Sequence, residues 1–313
     1  MASAAGLPVC RGCQRTGPAD AQYCPYCGRP LAPSRAVVHQ VWWKILAVGL
    51  VLNWATATLL AQSGNPNLVP TVIFLGAFLV PVVFVALIYE LGHLYDVTIP
   101  TIALTFFYGG VLGVIAAQLL EENLIVGMGL IPLLIVGFSE ELAKPLGVLW
   151  IARRREYLDE RHGIVLGAAA GMGFAAFETM GYGFTYLLLS RGNLDILGQV
   201  LLTRGLLAPL AHGTWTAIVV GTVWRERAAG RGWLNRRVLR GYLTAVVLHA
   251  LWDWTASAIP ISIELPGLAL HWRFADLFIP AIALPVPSLL IGLIGLWLLG
   301  RMRREAGTAT STA

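Results

Sequence analysis

The fold class this sequence predicts is an all-α polytopic membrane protein of about eight transmembrane helices, with a small separate module in front. Three observations predict it. Of 313 residues, 57% are hydrophobic and only 12% charged, far from the balance of a soluble domain. From residue 41 onward, apolar runs recur at 41–61, 69–89, 99–119, 125–152, 163–189, 203–224, 239–259 and 277–300. Each is long enough to cross about 30 Å of hydrocarbon, which takes about 20 helical residues. All four cysteines precede the first run, within the first 27 residues.

The cysteines stand as Cys10-Arg-Gly-Cys13 and Cys24-Pro-Tyr-Cys27. Two CxxC knuckles at this separation bring four thiolates to tetrahedral distance around one zinc ion. Residues 1–30 therefore read as a zinc ribbon, and 31–40, with Pro33, Ser34 and Arg35, as a polar linker. Four Cys ligands leave no open position, so Zn2+ here is structural. A module this short cannot bury a core, and the metal supplies most of its folding energy. The alternative, a pair of disulfides, needs an oxidising compartment. The ribbon is expected to serve regulation or to bind a cytoplasmic protein. The polar first 40 residues do not read as a signal peptide.

Basic residues set the orientation. Arg11, Arg15, Arg29, Arg35 and Lys44 precede or open the first run, Arg153, Arg154, Arg155 and Arg161 follow the fourth, and Arg225, Arg227, Arg231, Arg236, Arg237 and Arg240 follow the sixth. Arg301, Arg303 and Arg304 follow the eighth, making 18 on one side. Only Arg191, Arg204 and Arg273 fall on the other; with Lys144 inside a span, these account for all 22 Lys and Arg. This bias places both termini in the cytoplasm, where reduced thiols suit a zinc site, and the membrane is expected to be a bacterial-type plasma membrane. The formal charge of +5 thus reads as topology, and no nucleic-acid partner is expected. The membrane domain is expected over 41–304, with 305–313 a disordered cytoplasmic tail.

Inside the fourth run stand Glu140, Glu141 and Lys144. A charge at mid-helix costs about 2.5–3.5 kcal/mol even on lenient insertion scales, so such groups face a bundle interior and mark function. Lys144 follows Glu140 at i+4 and Glu141 at i+3 and can neutralise one of them, most simply Glu140. Pro145 frees the carbonyl of Glu141. Glu178 lies in the fifth run, His212 and Thr216 in the sixth, and His249 and Asp253, at i and i+4, in the seventh. Counted from the cytoplasmic end of each span, Glu141, Glu178, His212 and His249 all lie about 15 to 23 Å deep. They can meet at one level.

The constellation supports two chemistries. His212, His249 and Glu178 could hold a catalytic divalent metal, leaving another Glu to activate water. Alternatively, a desolvated member of the pair Glu140 and Glu141 acts as general base on water without a metal, while the imidazoles donate to the developing oxyanion and Asp253 orients His249. Spacing does not choose between them. Gly163, Gly167 and Gly171 repeat at i+4 and read as a close-packing face.

At these residues the sequence resembles the PrsW family of intramembrane proteases. The match is Glu140-Glu141-x-x-Lys144, then Phe174-x-x-x-Glu178 with Tyr182, then His212, then His249-x-x-x-Asp253, in family order over roughly residues 40 to 300. The family looks distantly related to the CAAX-processing and bacteriocin-processing membrane proteases, whose two-glutamate motif ends in Arg. The resemblance implies hydrolysis of a peptide bond of a membrane-associated protein, in some members an anti-sigma factor. Its first members were described as metalloproteases, whereas the relatives favour a glutamate-activated water. The other readings are a non-catalytic scaffold or peptide-binding receptor that uses the same polar cluster, and a proton-coupled transporter. No internal repeat of the transporter kind is visible.

Overall fold

A backbone in hydrocarbon has no partner but itself, so bilayer-length apolar runs fold as helices. A computed structural model describes residues 10, 15–18, 24–26, 40–92, 97–124, 129–152, 160–258, 262–265 and 282–309. The helices are α1 (Val41–Ser63), α2 (Val69–Gly92), α3 (Ile99–Leu124), α4 (Leu130–Ile151), α5 (Glu160–Leu189), α6 (Leu194–Leu207), α7 (His212–Ala228), α8 (Arg236–Ala258) and α9 (Val286–Ala309). Among the described residues, five stretches are long and apolar enough to cross a membrane: Val41–Ser63, Pro66–Leu91, Ile99–Leu119, Glu160–Leu189 and Leu194–Ala228. α4 and α8 fall outside this set, α4 because it carries three charges close together, Glu140, Glu141 and Lys144, and α8 because it carries His249 and Asp253 as well as Arg236, Arg237 and Arg240. Large apolar side chains such as Val51 and Trp54 of α1 and Leu142, Leu146 and Trp150 of α4 face outward. The expected all-α integral membrane architecture is present.

The sixth apolar run departs from a single helix. α6 ends at Leu207, a 3-10 turn follows over Ala208–Leu210, and Ala211 takes φ −104 and ψ −107 before α7 begins at His212. Pro209 has no N–H to bond back and its ring crowds the preceding turn, which favours a break here. The hydroxyl of Thr214 donates to the Pro209 carbonyl at 2.7 Å. The break puts His212 in the first turn of α7.

The eighth run also starts later than its apolarity predicts. Residues Ile282–Pro285 pair antiparallel with Ser262–Leu265, Ile263 standing opposite Leu284, and α9 begins only at Val286. At its other end α9 continues to Ala309, so the tail boundary expected at 304 falls within a helix. In the front module Cys10 and Cys24 are buried. Cys13, Cys27 and nearly all of the linker lie outside the described residues.

α5 is the central helix, with its most extensive packing against α7 and α3. The glycine repeat explains how close α7 comes. A Cβ at Gly167 would stand 2.7 Å from the Thr216 carbonyl oxygen, and one at Gly171 would collide with the carbonyl oxygen of His212. Backbone therefore meets backbone along this seam. The two helices are pinned at one end by Arg225, whose Nη2 lies 2.6 Å from Glu160 Oε1. The turn from α7 to α8 closes around the buried Glu226, which accepts from Arg231 Nε at 2.6 Å, Arg231 Nη2 at 2.8 Å and Asn235 Nδ2 at 3.0 Å.

Candidate active site

Helical periodicity divides α4 into two faces. Phe138, Leu142 and Leu146 are exposed, while Gly137, Glu140, Glu141, Lys144 and Val148 are buried. Gly137 lets α8 approach, since a Cβ there would stand 2.8 Å from the Val246 carbonyl oxygen and 3.4 Å from His249 Cβ. The absent side chain thus brings His249 against the glutamates.

The polar residues that the sequence placed at one depth do meet. Lys144 Nζ donates to Glu141 Oε1 at 2.6 Å and to His212 Nδ1 at 2.9 Å, and lies 3.1 Å from Glu140 Oε2. The Phe174 ring lies beneath the same ammonium, 4.1 Å away. Lys144 therefore serves both carboxylates, and the closer is Glu141 rather than the expected Glu140. Tertiary contacts decide this: Glu141 Oε1 is shared with His249 Nδ1 at 3.0 Å, and its Oε2 accepts from Thr216 at 3.3 Å. His249 Nε2 lies 3.3 Å from Asp253 Oδ2 and 3.6 Å from Glu140 Oε2. Asp253 is thus placed beside His249 as the i+4 spacing predicts.

Glu178 reaches the cluster from α5. Its Oε2 is 3.2 Å from His212 Nε2 and 2.6 Å from Arg204 Nη2. Arg204 is the site residue that sequence reasoning missed, having been counted with the outer loops. Its guanidinium lies 4.1 Å over the Tyr182 ring. The signal was available, because Arg204 is the one Lys, Arg, Asp or Glu between residues 196 and 224. Trp215 packs against both imidazoles, its ring 4.9 Å from His249 and 5.5 Å from His212. Burial is complete at Glu141 and Lys144, whereas the side chains of Asp253 and Arg204 are 32% and 30% exposed. The cluster is thus more open on the side of Asp253, Arg204 and Tyr182.

Glu140, His212 and His249 can each offer one ligand atom, and these atoms lie within 4.8 Å of one another. Two imidazoles and a carboxylate are a catalytic zinc donor set that leaves a position for water. Each imidazole also has a carboxylate at its far nitrogen, Glu141 at His249 and Glu178 at His212, the arrangement that orients metal-bound histidines. The residues fit a divalent ion. The carboxylate in this set is Glu140, where Glu178 was expected, because Glu178 is drawn to Arg204 on the other side of His212.

A family model described as PrsW family intramembrane metalloprotease matches residues 97–283. No curated protein and no solved structure matches. The matched segment takes in every polar residue of the cluster from α4 to α8 and covers more than half of the sequence, and the chain belongs to the PrsW family of intramembrane proteases.

Proposed function

We propose that the chain cleaves its membrane protein substrate at the point where Glu140, His212 and His249 converge. The carrying observation is that three helices from separate parts of the sequence aim these groups at one another within 4.8 Å, inside a bundle whose outer faces are apolar. Glu140 takes the proton of the attacking water. It is the better base of the pair, because both oxygens of Glu141 are engaged by Lys144, His249 and Thr216. His249, flanked by Glu141 and Asp253, donates from Nε2 to the oxyanion that forms on the scissile carbonyl. The proton held by Glu140 then passes to the leaving amine. Glu178 and Arg204 hold His212. Were a divalent ion held by Glu140, His212 and His249, these groups would serve as its ligands in place of the roles above, and the ion would supply Lewis acidity to the attacking water.

The test compares membranes of cells that produce the wild type or Glu140→Gln, by mass spectrometry of protein N-termini. New N-termini within or beside membrane spans should appear with the wild type and fall by about 10²-fold or more in the variant, the scale of general-base catalysis. Equal yields from both would remove Glu140 from the chemistry. A scaffold or receptor would give no such termini at all.

We further infer that residues 1–30 form a zinc ribbon on Cys10, Cys13, Cys24 and Cys27, and that both termini face the cytoplasm of a bacterial-type cell. The paired CxxC spacing and the 18-to-3 distribution of basic residues support this. These are the chain's four cysteines, so one reagent tests the zinc and the side on which the N-terminus lies. A membrane-impermeant maleimide should leave intact cells unlabelled, and should label permeabilised cells only after a chelator strips the zinc. Labelling of intact cells would reverse the orientation; labelling of permeabilised, unchelated cells would remove the zinc.

A further inference from the structure

Lys144 places a cation against two of the three groups able to hold a metal. Its Nζ lies 2.9 Å from His212 Nδ1 and 3.1 Å from Glu140 Oε2, and both residues belong to the set able to hold a metal. Glu141 Oε1, 2.6 Å away, and the Phe174 ring, 4.1 Å away, close two further sides. The side chain is fully buried. An ammonium has three donors and no acceptor. The lone pair of His212 Nδ1 is therefore taken by Lys144, and the ring proton stands on Nε2, beside Glu178. In this arrangement neither nitrogen of His212 has a lone pair for a metal. Two cations a few ångströms apart beside side chains this deeply buried also repel strongly.

From this we infer that Lys144 and a divalent cation are alternative occupants of one centre. The lysine is an internal counter-cation: its ammonium must leave His212 and Glu140 before an ion can bind there. This rests on the reading of Glu140, His212 and His249 as the active centre, and it adds that the same chain carries a competitor for that centre. The competition sets how tightly metal is held, and it gives the ion-free cluster a cation of its own.

The experiment uses the full chain with Cys10, Cys13, Cys24 and Cys27 all replaced by Ser, so that ribbon zinc cannot contribute. In detergent micelles this protein is titrated with zinc against a chromophoric chelator. Lys144→Met is expected to bind one zinc per chain at least about tenfold more tightly than the parent, because the repelling charge is gone. Adding Glu140→Gln should cancel the gain. Affinity equal to or weaker than the parent's would overturn the proposal, and so would a gain that survives Glu140→Gln. Lys144→Met leaves two buried glutamates without their cation and could fail to fold. The same comparison is therefore made between Glu141→Gln and Glu141→Gln/Lys144→Met, where one charge of each sign has been removed, with the same tenfold expectation. Zinc titration judges the competition and N-terminal profiling judges the active centre. A failure of one is thereby told apart from a failure of the other.

Discussion

Glu141→Gln is expected to slow peptide-bond cleavage by about 10²- to 10⁴-fold, the range known for buried carboxylates that orient a catalytic imidazole. The carboxylate bridges two functions through one atom, since Oε1 accepts from Lys144 at 2.6 Å and stands 3.0 Å from His249 Nδ1. An amide there loses the charge that holds both. If its nitrogen faces His249, two donors oppose each other, and the imidazole is released from the orientation in which Nε2 faces Glu140. Folding should largely survive, because Lys144 keeps Glu140 at 3.1 Å. The measurement is the rate at which a wild-type-dependent neo-N-terminus appears, normalised to folded enzyme. A rate within threefold of wild type would show that Glu141 orients nothing the reaction needs.

Gly171→Val is expected to destabilise the bundle by about 3 kcal/mol or more, at the upper end of what overpacking a close-fitting interior costs. A Cβ at Gly171 meets the carbonyl oxygen of His212 and, at 2.9 Å, the hydroxyl of Thr216. The first obstacle is backbone, which cannot rotate out of the way as a side chain can. α5 and α7 would have to part at the level of the active centre, so activity should fall even in molecules that remain folded. Gly181→Ala on the same helix is the control: nothing lies within 4 Å of its Cβ position, and it should be neutral or gain about 0.5–1 kcal/mol of helix propensity. Thermal unfolding in detergent separates the two. Equal melting temperatures would mean that the seam is looser than the distances imply.

Apolar run length was enough to place most of the helices, because hydrocarbon admits little else. It failed where apolar sequence is not helical. Pro209 interrupts a run that stays hydrophobic on both sides, and Ile282–Pro285 spends its apolar residues on a strand. The site was legible as a set of intramembrane charges, since each is costly alone and they fell at one depth. Which oxygen each nitrogen would choose was not legible. Glu140 and Glu141 are both within helical reach of Lys144, and the preference is set by His249 and Thr216 from later helices. Arg204 was read by its place near a loop, although a lone charge in an apolar stretch carries the same information as Glu178 does.

The partition of charges along the chain bears on how the protein is made. Glu140, Glu141 and Lys144 occupy adjacent turns of one helix, so α4 reaches the translocation machinery with a counter-ion already aboard. Its net burden there is a single negative charge, well before His212 or His249 has left the ribosome. Glu178 has no such companion on α5; its cation, Arg204, arrives one helix later on α6. α5 therefore brings a carboxylate whose cation is supplied only by the next helix. Glu140 and Glu141 can thus enter the bilayer alone, while Glu178 enters only in company.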